Sequence, residues 1–84
     1  MQNTIYTVDY CPYCKAALEF LNNHNVKYKQ IKIDDDEDNK RIELGQLLNI
    51  KGDVTVPQII LNGKHIGGFT DMIRKFEKGE LKFD

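Results

Sequence analysis

The sequence predicts a single α/β domain with the element order β-α-β-α-β-β-α. Three observations support this order: strand-like alternation near the start of the chain, stretches with helical spacing of apolar residues, and an Asn62-Gly63 pair between two apolar runs. The chain has 84 residues, near the lower end of what folds alone, so we expect one domain over 1–84 with a modest core.

The first predicted strand runs from Thr4 to Val8, because TIYTV alternates around Ile5 and is rich in β-branched and aromatic residues. The first helix is predicted to follow at Pro12, since proline is well tolerated in a first helical turn. Its apolar residues recur at helical spacing and are Cys14, Ala17, Leu18 and Leu21. The cluster NNHN at 22–25 is expected to end this helix.

A second strand is predicted over 26–33, where VKYKQIKI places Ile31 and Ile33 on one face. The acidic run at 34–38 precedes two basic residues, an order that suits the helix macrodipole and predicts the start of a second helix. The expected apolar side of this helix consists of Ile42, Leu44, Leu47 and Leu48.

The C-terminal part of the chain predicts a hairpin followed by a helix. PQIIL at 57–61 and KHI at 64–66 form two short strand patterns, joined by an Asn-Gly pair that is favoured in tight hairpins. The last helix is expected from Phe69, with Thr70 or Asp71 as its cap. Its buried stripe is predicted at Met72, Ile73 and Phe76.

The charge balance argues against two classes of partner. With 12 basic and 13 acidic residues the formal net charge is -1, so no basic field exists to hold nucleic acid or an anionic membrane surface. The sequence shows neither a secretory signal nor an apolar run long enough to cross a bilayer. We therefore expect a cytoplasmic protein, and a monomer.

Cys11 and Cys14 are the only cysteines, and three interpretations of the pair compete: half of a zinc site, a structural disulfide, or a redox-active dithiol. A cytosolic chain normally keeps its cysteines reduced, which disfavours the structural disulfide. Zinc needs further ligands, but only His24 and His65 are available, in no paired spacing. The acidic run at 34–38 lacks the glycine and glutamate of a calcium loop, so we expect no metal.

The position of the pair at a strand-to-helix junction favours redox chemistry. Unpaired N–H groups and the positive dipole end of a helix stabilise a thiolate, and the thiolate is the form that attacks a disulfide. Cys11 lies at that end and is the predicted nucleophile. Cys14, inside the first turn, is the predicted resolving cysteine, which attacks a mixed disulfide and releases the product. Two ordinary core cysteines are the plainer alternative.

Three stretches together resemble the signatures of glutaredoxins, the glutathione-dependent members of the thioredoxin fold: CPYC at 11–14, TVPQI at 55–59 and GGFTD at 67–71. The resemblance covers nearly the whole chain. It implies a thioredoxin-like fold, with a four-stranded mixed sheet flanked by three helices. It also implies an oxidoreductase that reduces protein disulfides and glutathione mixed disulfides with glutathione as reductant, and ribonucleotide reductase as a client.

The resemblance further implies a glutathione site, with contacts from Tyr13, Thr55, Val56, Pro57, Gly68, Thr70, Asp71 and Arg41. By similarity, Tyr13 would flank the glutathione sulfur. The Val56 main chain would pair with the cysteinyl part of glutathione like an added strand, because the peptide before Pro57 is cis in this fold.

The remaining implied contacts hold the two ends of glutathione. Gly67-Gly68 would allow close approach, while Thr70 and Asp71 would face the α-carboxylate and the ammonium of the γ-glutamyl end. Arg41, favoured over Gln46, would bind the glycine carboxylate. Taken singly, such residues are ordinary turns and helix caps, and only their co-occurrence favours the ligand site.

Two other functions stay open. A glutaredoxin-like protein reduced by thioredoxin reductase generally shows a different C-terminal signature from GGFTD. A module that holds an iron–sulfur cluster between two subunits is disfavoured by Pro12, which stiffens the loop and removes an N–H. One departure from the resemblance is that many family members carry a basic residue about three positions before the first cysteine, whereas this chain has Val8-Asp9-Tyr10 there. A carboxylate directed at Cys11 would oppose its thiolate.

Overall fold

The computed structural model describes residues 3–83 and contains four strands and three α-helices in the predicted order. They are β1 (Thr4–Thr7), α1 (Pro12–Asn23), β2 (Lys29–Lys32), α2 (Glu37–Leu48), β3 (Gln58–Leu61), β4 (Lys64–Gly67) and α3 (Phe69–Glu77). A short 3₁₀ turn at Asp34–Asp36 leads into α2. Within residues 3–83, no helix combines the length and apolar character needed to cross a membrane.

The four strands form one mixed sheet in the order β2-β1-β3-β4. β1 is parallel to β2 and antiparallel to β3, and β3 is antiparallel to β4. The predicted hairpin turn is present, with positive φ angles of 55° at Asn62 and 77° at Gly63. Asn-Gly is the pair that best tolerates such a turn. The predicted thioredoxin-like architecture is thereby confirmed.

Two apolar clusters hold the layers together. The main core joins β1 and β3 to α1 and α3 through Ile5, Ala17, Leu21, Ile59, Leu61, Met72 and Leu81. A second cluster contains both cysteines together with Val8 and Ile33, and Val56 packs against it. The CPYC turn is therefore anchored from inside by apolar contacts.

The prediction for the apolar side of α2 is wrong at two positions. Leu44 is buried, but Ile42 and Leu47 are 61% and 58% exposed. The helix approaches its neighbours through Gly45, where an added Cβ would lie 2.9 Å from a Val54 methyl carbon. Because the contact is made by a residue without a side chain, the pattern of large apolar residues does not reveal it.

The predicted cap of α3 is also corrected. The N-cap is Gly68, and Thr70 lies exposed in the first turn. Asp71 caps from inside the helix, since its Oδ2 accepts the Gly68 N–H at 2.9 Å. Phe76, predicted to be buried, is 36% exposed, and its ring packs edge-on against that of Phe20, with centroids 5.3 Å apart.

The contact between Gly67 and Asp71 generates a prediction about stability. Gly67 has φ +114°, and an added Cβ would lie 2.6 Å from Asp71 Oδ2. We expect Gly67→Ala to lower the free energy of unfolding in urea by about 2–3 kcal/mol, through backbone strain and displacement of the capping carboxylate.

Gly52→Ala is the matched control, because Gly52 has φ +86° and an added Cβ would meet no atom within 4 Å. Gly52→Ala should lower the free energy of unfolding through backbone strain alone, by about 1 kcal/mol. Equal losses in the two variants would contradict a steric role for the Asp71 carboxylate.

Candidate active site

Cys11 is the N-cap residue of α1, and its sulfur takes the place of the usual capping oxygen. The main-chain N–H of Cys14 donates to Cys11 Sγ at 3.1 Å. Pro12 begins the helix and has no N–H of its own. Both cysteines are reduced. A thiolate at Cys11 would receive this hydrogen bond and lie at the positive end of the helix dipole.

Cys14 has a different environment, although it lies only one helical turn further on. It is 1% exposed, whereas Cys11 is 8% exposed. Burial, and then the contact with Cys11, raise the pKa of the Cys14 thiol to about 12. At neutral pH Cys14 therefore remains a thiol, and it is the more deeply buried of the two cysteines.

The loop between α2 and β3 lies beside Cys11. The Val56-Pro57 peptide bond is cis, as predicted. The Cys11 thiol donates to the Val56 carbonyl, with 3.6 Å between Sγ and the oxygen. This contact joins residues 45 positions apart in the chain. The main chain of Val56 is thus within reach of any group bonded to the Cys11 sulfur.

A groove of about 390 Å³ lies next to this loop and gathers most of the predicted contact residues. It is lined by Tyr13, Thr55, Val56, Pro57, Gly68, Phe69, Thr70 and Asp71. The prediction omitted Phe69, whose ring centroid lies 6.2 Å from that of Tyr13. Its signal was present in the GGFTD stretch, where it had been assigned only to the helix start.

Like Gly67, Arg41 is a predicted contact residue that does not line this groove. It lines a larger neighbouring groove of about 700 Å³, together with Gln46 and Val54. Its guanidinium lies against Glu37, with Nε and Nη2 at 3.0 and 2.8 Å from Oε2. Nη1 donates to the carbonyl of Val54, two residues before Val56. Arg41 is therefore connected to the groove of about 390 Å³ through the loop that contains Val54 and Val56.

The carboxylate of Asp9 is paired with a cation. Asp9 Oδ1 lies 3.2 Å from Lys32 Nζ, and the Asp9 N–H donates to Asp34 Oδ2 at 2.7 Å. Both members of the Asp9–Lys32 pair are well exposed, so the pair is a weak, solvent-screened interaction. The pair still places the positive charge of Lys32 beside the Asp9 carboxylate, which we expected to oppose a thiolate at Cys11.

Metal-ligand types do not converge in the described part of the chain. Among residues 3–83, no group of three or more His, Cys, Asp or Glu side chains is placed to hold a metal ion. His65 instead contacts Gln58, with 2.7 Å between Nε2 and Oε1. His24 lies 2.9 Å from the Phe20 carbonyl through Nδ1.

Several known proteins share this sequence pattern. The family model Glutaredoxin matches residues 3–66. Glutaredoxin-C4 of Arabidopsis thaliana is 39% identical over 77 residues, covering 92% of this chain and 56% of the relative. Glutaredoxin-1 of Saccharomyces cerevisiae is 39% identical over 87 residues, covering 96% of this chain and 78% of the relative. The chain thus spans little more than half the length of the Arabidopsis relative.

Solved structures share the fold as well. Glutaredoxin 1 from Francisella tularensis, complexed with cacodylate, superimposes with a TM-score of 0.78 at 31% identity, covering 92% of this chain and 93% of that one. A buckwheat glutaredoxin–glutathione complex gives a TM-score of 0.77 at 30% identity, covering 94% and 71%. The family model, these relatives and a CPYC pair at a helix N-terminus agree, and the chain belongs to the glutaredoxin family.

Proposed function

We propose that this chain is a glutathione-dependent thiol–disulfide oxidoreductase that reduces glutathione mixed disulfides and protein disulfides. The observation that carries this proposal is the Cys14 N–H donated to Cys11 Sγ at the start of α1, beside a groove that contains Val56. The Cys11 sulfur is thus provided with a hydrogen-bond donor for its thiolate, and it lies beside the Val56 main chain, which would pair with a peptide-like substrate.

Deglutathionylation requires only Cys11. The Cys11 thiolate attacks the glutathione sulfur of a mixed disulfide, the old S–S bond breaks, and the client leaves as a thiolate that takes a proton from water. A second glutathione thiolate then attacks the glutathione sulfur bonded to Cys11. Oxidised glutathione is released and the Cys11 thiolate returns, so the mixed disulfide of the client is reduced while one free glutathione thiol is oxidised.

Reduction of a protein disulfide uses both cysteines. Cys11 attacks one client sulfur and forms a mixed disulfide with the client. The other client sulfur leaves as a thiolate and takes the proton of Cys14. Cys14 then attacks Cys11 Sγ and the Cys11–client bond breaks. The first client sulfur leaves as a thiolate that takes a proton from water, and a Cys11–Cys14 disulfide remains. Two glutathione molecules reduce that disulfide. The high pKa of Cys14 keeps it a thiol until the mixed disulfide has formed.

Glutathione would lie in the groove of about 390 Å³, a volume within the range of small-ligand sites. Its cysteinyl part would pair with the Val56 main chain beside Pro57 and Thr55, and Tyr13 would flank its sulfur. The solved complex of a buckwheat relative with glutathione supports this ligand.

The two charged ends of glutathione would be held on either side of Cys11. Thr70 and the N-terminus of α3 would face the γ-glutamyl carboxylate and Asp71 its ammonium, while Gly68, which has no side chain, would allow the ligand to approach closely. Arg41 would bind the glycine carboxylate. Three of its five N–H groups are engaged by Glu37 and Val54, which leaves two for this ligand.

The wider setting belongs to the same proposal. The chain would act as a single domain over 1–84 and as a monomer in the cytoplasm, with ribonucleotide reductase among its disulfide-bonded clients and with no metal or nucleic acid involved. An assay that supplies either glutathione with glutathione reductase or thioredoxin reductase alone distinguishes this proposal from a glutaredoxin-like protein that thioredoxin reductase reduces. Visible absorbance bands in the purified protein would instead favour the iron–sulfur module.

The roles of the two cysteines can be separated by substitution. In a coupled assay with glutathione and its reductase, Cys11→Ser should abolish turnover of both a glutathionylated peptide and a disulfide-bonded protein. Cys14→Ser should keep at least about half of the deglutathionylation rate and lose nearly all protein-disulfide reduction, because only the second reaction needs an internal resolving thiol. Equal loss of deglutathionylation in the two variants would contradict the assignment.

The raised pKa of the buried Cys14 thiol predicts selective alkylation. With a pKa of about 12, roughly one Cys14 thiol in 100,000 is ionised at pH 7. A short iodoacetamide pulse on the reduced, folded protein should therefore modify Cys11 alone, as seen by peptide mass spectrometry. Labelling of Cys14 should begin only as the pH rises towards 12, whereas both cysteines should react in urea. Equal labelling in the folded protein at pH 7 would show that Cys14 is not protected.

A further inference from the structure

Three successive carbonyls in the loop at 54–56 each accept a hydrogen bond from a side chain. Arg41 donates to the carbonyl of Val54, Gln58 to that of Thr55, and the Cys11 thiol to that of Val56. The distance from Gln58 Nε2 to the Thr55 carbonyl oxygen is 2.8 Å. The loop lies between α2 and β3, outside the sheet. Side chains therefore supply the hydrogen-bond donors that neighbouring strands supply to carbonyls within the sheet.

The first donor is held in place by a chain of contacts that reaches back to the active-site turn. Arg41 meets Glu37 through two nitrogens, and the Tyr10 hydroxyl donates to the same carboxylate at 2.6–2.7 Å. The hydrogen bond from Tyr10, and then that from Arg41, hold the pKa of Glu37 below its ordinary value. Arg41 and Glu37 are each only about a quarter exposed, at 26% and 25%.

The second donor is held from the opposite direction. Gln58 is 5% exposed, and His65 donates through Nε2 to its Oε1 at 2.7 Å. The carbonyl of Thr55 can only accept, so the amide NH₂ of Gln58 must face it. His65 occupies the amide oxygen and thereby fixes the orientation of the amide.

We propose that Gln58 and the Glu37–Arg41 pair are positioning residues, which hold the loop at 54–56 from two sides in the conformation that pairs with glutathione. This inference rests on the proposed function and concerns the same site. A loop whose carbonyls are already fixed does not have to be ordered when the ligand binds, so less of the interaction free energy is lost. Gln58 does not line the groove and acts only through Thr55.

Gln58→Glu tests this directly. The substitution keeps the shape of the side chain but replaces the donating NH₂ by a carboxylate oxygen opposite the Thr55 carbonyl. At pH 7.5 we expect KM for a glutathionylated peptide to rise about tenfold while kcat stays within about twofold, the pattern of lost uniform binding. The alkylation rate of Cys11 should stay close to the wild-type value, because the N–H that would stabilise its thiolate belongs to Cys14 in α1 and not to the loop.

A pH series adds a readout that a purely structural role would not produce. When the carboxyl group introduced by Gln58→Glu is protonated, it can donate to the Thr55 carbonyl again. The ratio of variant to wild-type KM should therefore fall towards one as the pH is lowered through the titration of that carboxyl group, whose other oxygen would face His65 Nε2.

The matched control is Gln30→Glu, the same chemical change at another glutamine of the sheet. Gln30 Nε2 donates to Thr7 Oγ1 at 2.9 Å, and a hydroxyl can turn to donate to a carboxylate instead. The KM of Gln30→Glu for the glutathionylated peptide should stay unchanged.

Glu37→Gln tests the other side of the loop independently of folding effects at Gln58, and we expect it to raise KM about threefold.

The outcomes separate this inference from the function on which it rests. An active wild-type protein with unchanged KM in both Gln58→Glu and Glu37→Gln would overturn the positioning roles alone. A parallel fall in kcat and in the Cys11 alkylation rate would also overturn them, since it would indicate general disruption. A wild-type protein that does not turn over the glutathionylated peptide would overturn both proposals.

Discussion

The main-chain N–H of Cys14, directed at Cys11 Sγ over 3.1 Å, is the interaction on which the rest of the site depends. It exists because a helix begins immediately after Cys11, and the first turn of a helix has N–H groups without helical acceptors. Pro12 fixes the first helical φ and removes one such N–H. The Cys11 sulfur thus accepts a hydrogen bond from the main chain. This stabilisation needs no basic side chain, and the residue near Cys11 in this chain is the acidic Asp9.

The second constraint is that a distant loop must lie against the same sulfur. The approach of α2 through Gly45, the carbonyl contact of Arg41 and the buried amide of Gln58 all act on the segment that ends at Pro57. None of these contacts lies in the CPYC turn. In the proposed function, the turn would provide the reactive sulfur and the loop would provide main chain for the substrate. Side chains from α2 and β3 contact this loop through Arg41 and Gln58.

Local patterns were sufficient for the element order, the hairpin at Asn62-Gly63 and the position of Cys11 at the start of a helix, because each depends on neighbours within a few residues. The resemblance to glutaredoxins added the groove residues and the cis peptide before Pro57. The sequence could not reveal contacts between distant residues. Tyr10 and Glu37 are 27 positions apart, and Gln58 and His65 face each other only because β3 and β4 pair.

The most direct test of this account is amide hydrogen exchange at Val56. In the Cys14→Ser protein, glutathione can be trapped as a mixed disulfide at Cys11, because no resolving thiol is present. If its cysteinyl part pairs with the loop like an added strand, the Val56 amide should exchange at least about tenfold more slowly in the mixed disulfide than in the reduced protein. The amide of Ile60, inside β3, should be unaffected. An unchanged exchange rate at Val56 would contradict the proposed pairing between the loop and the substrate.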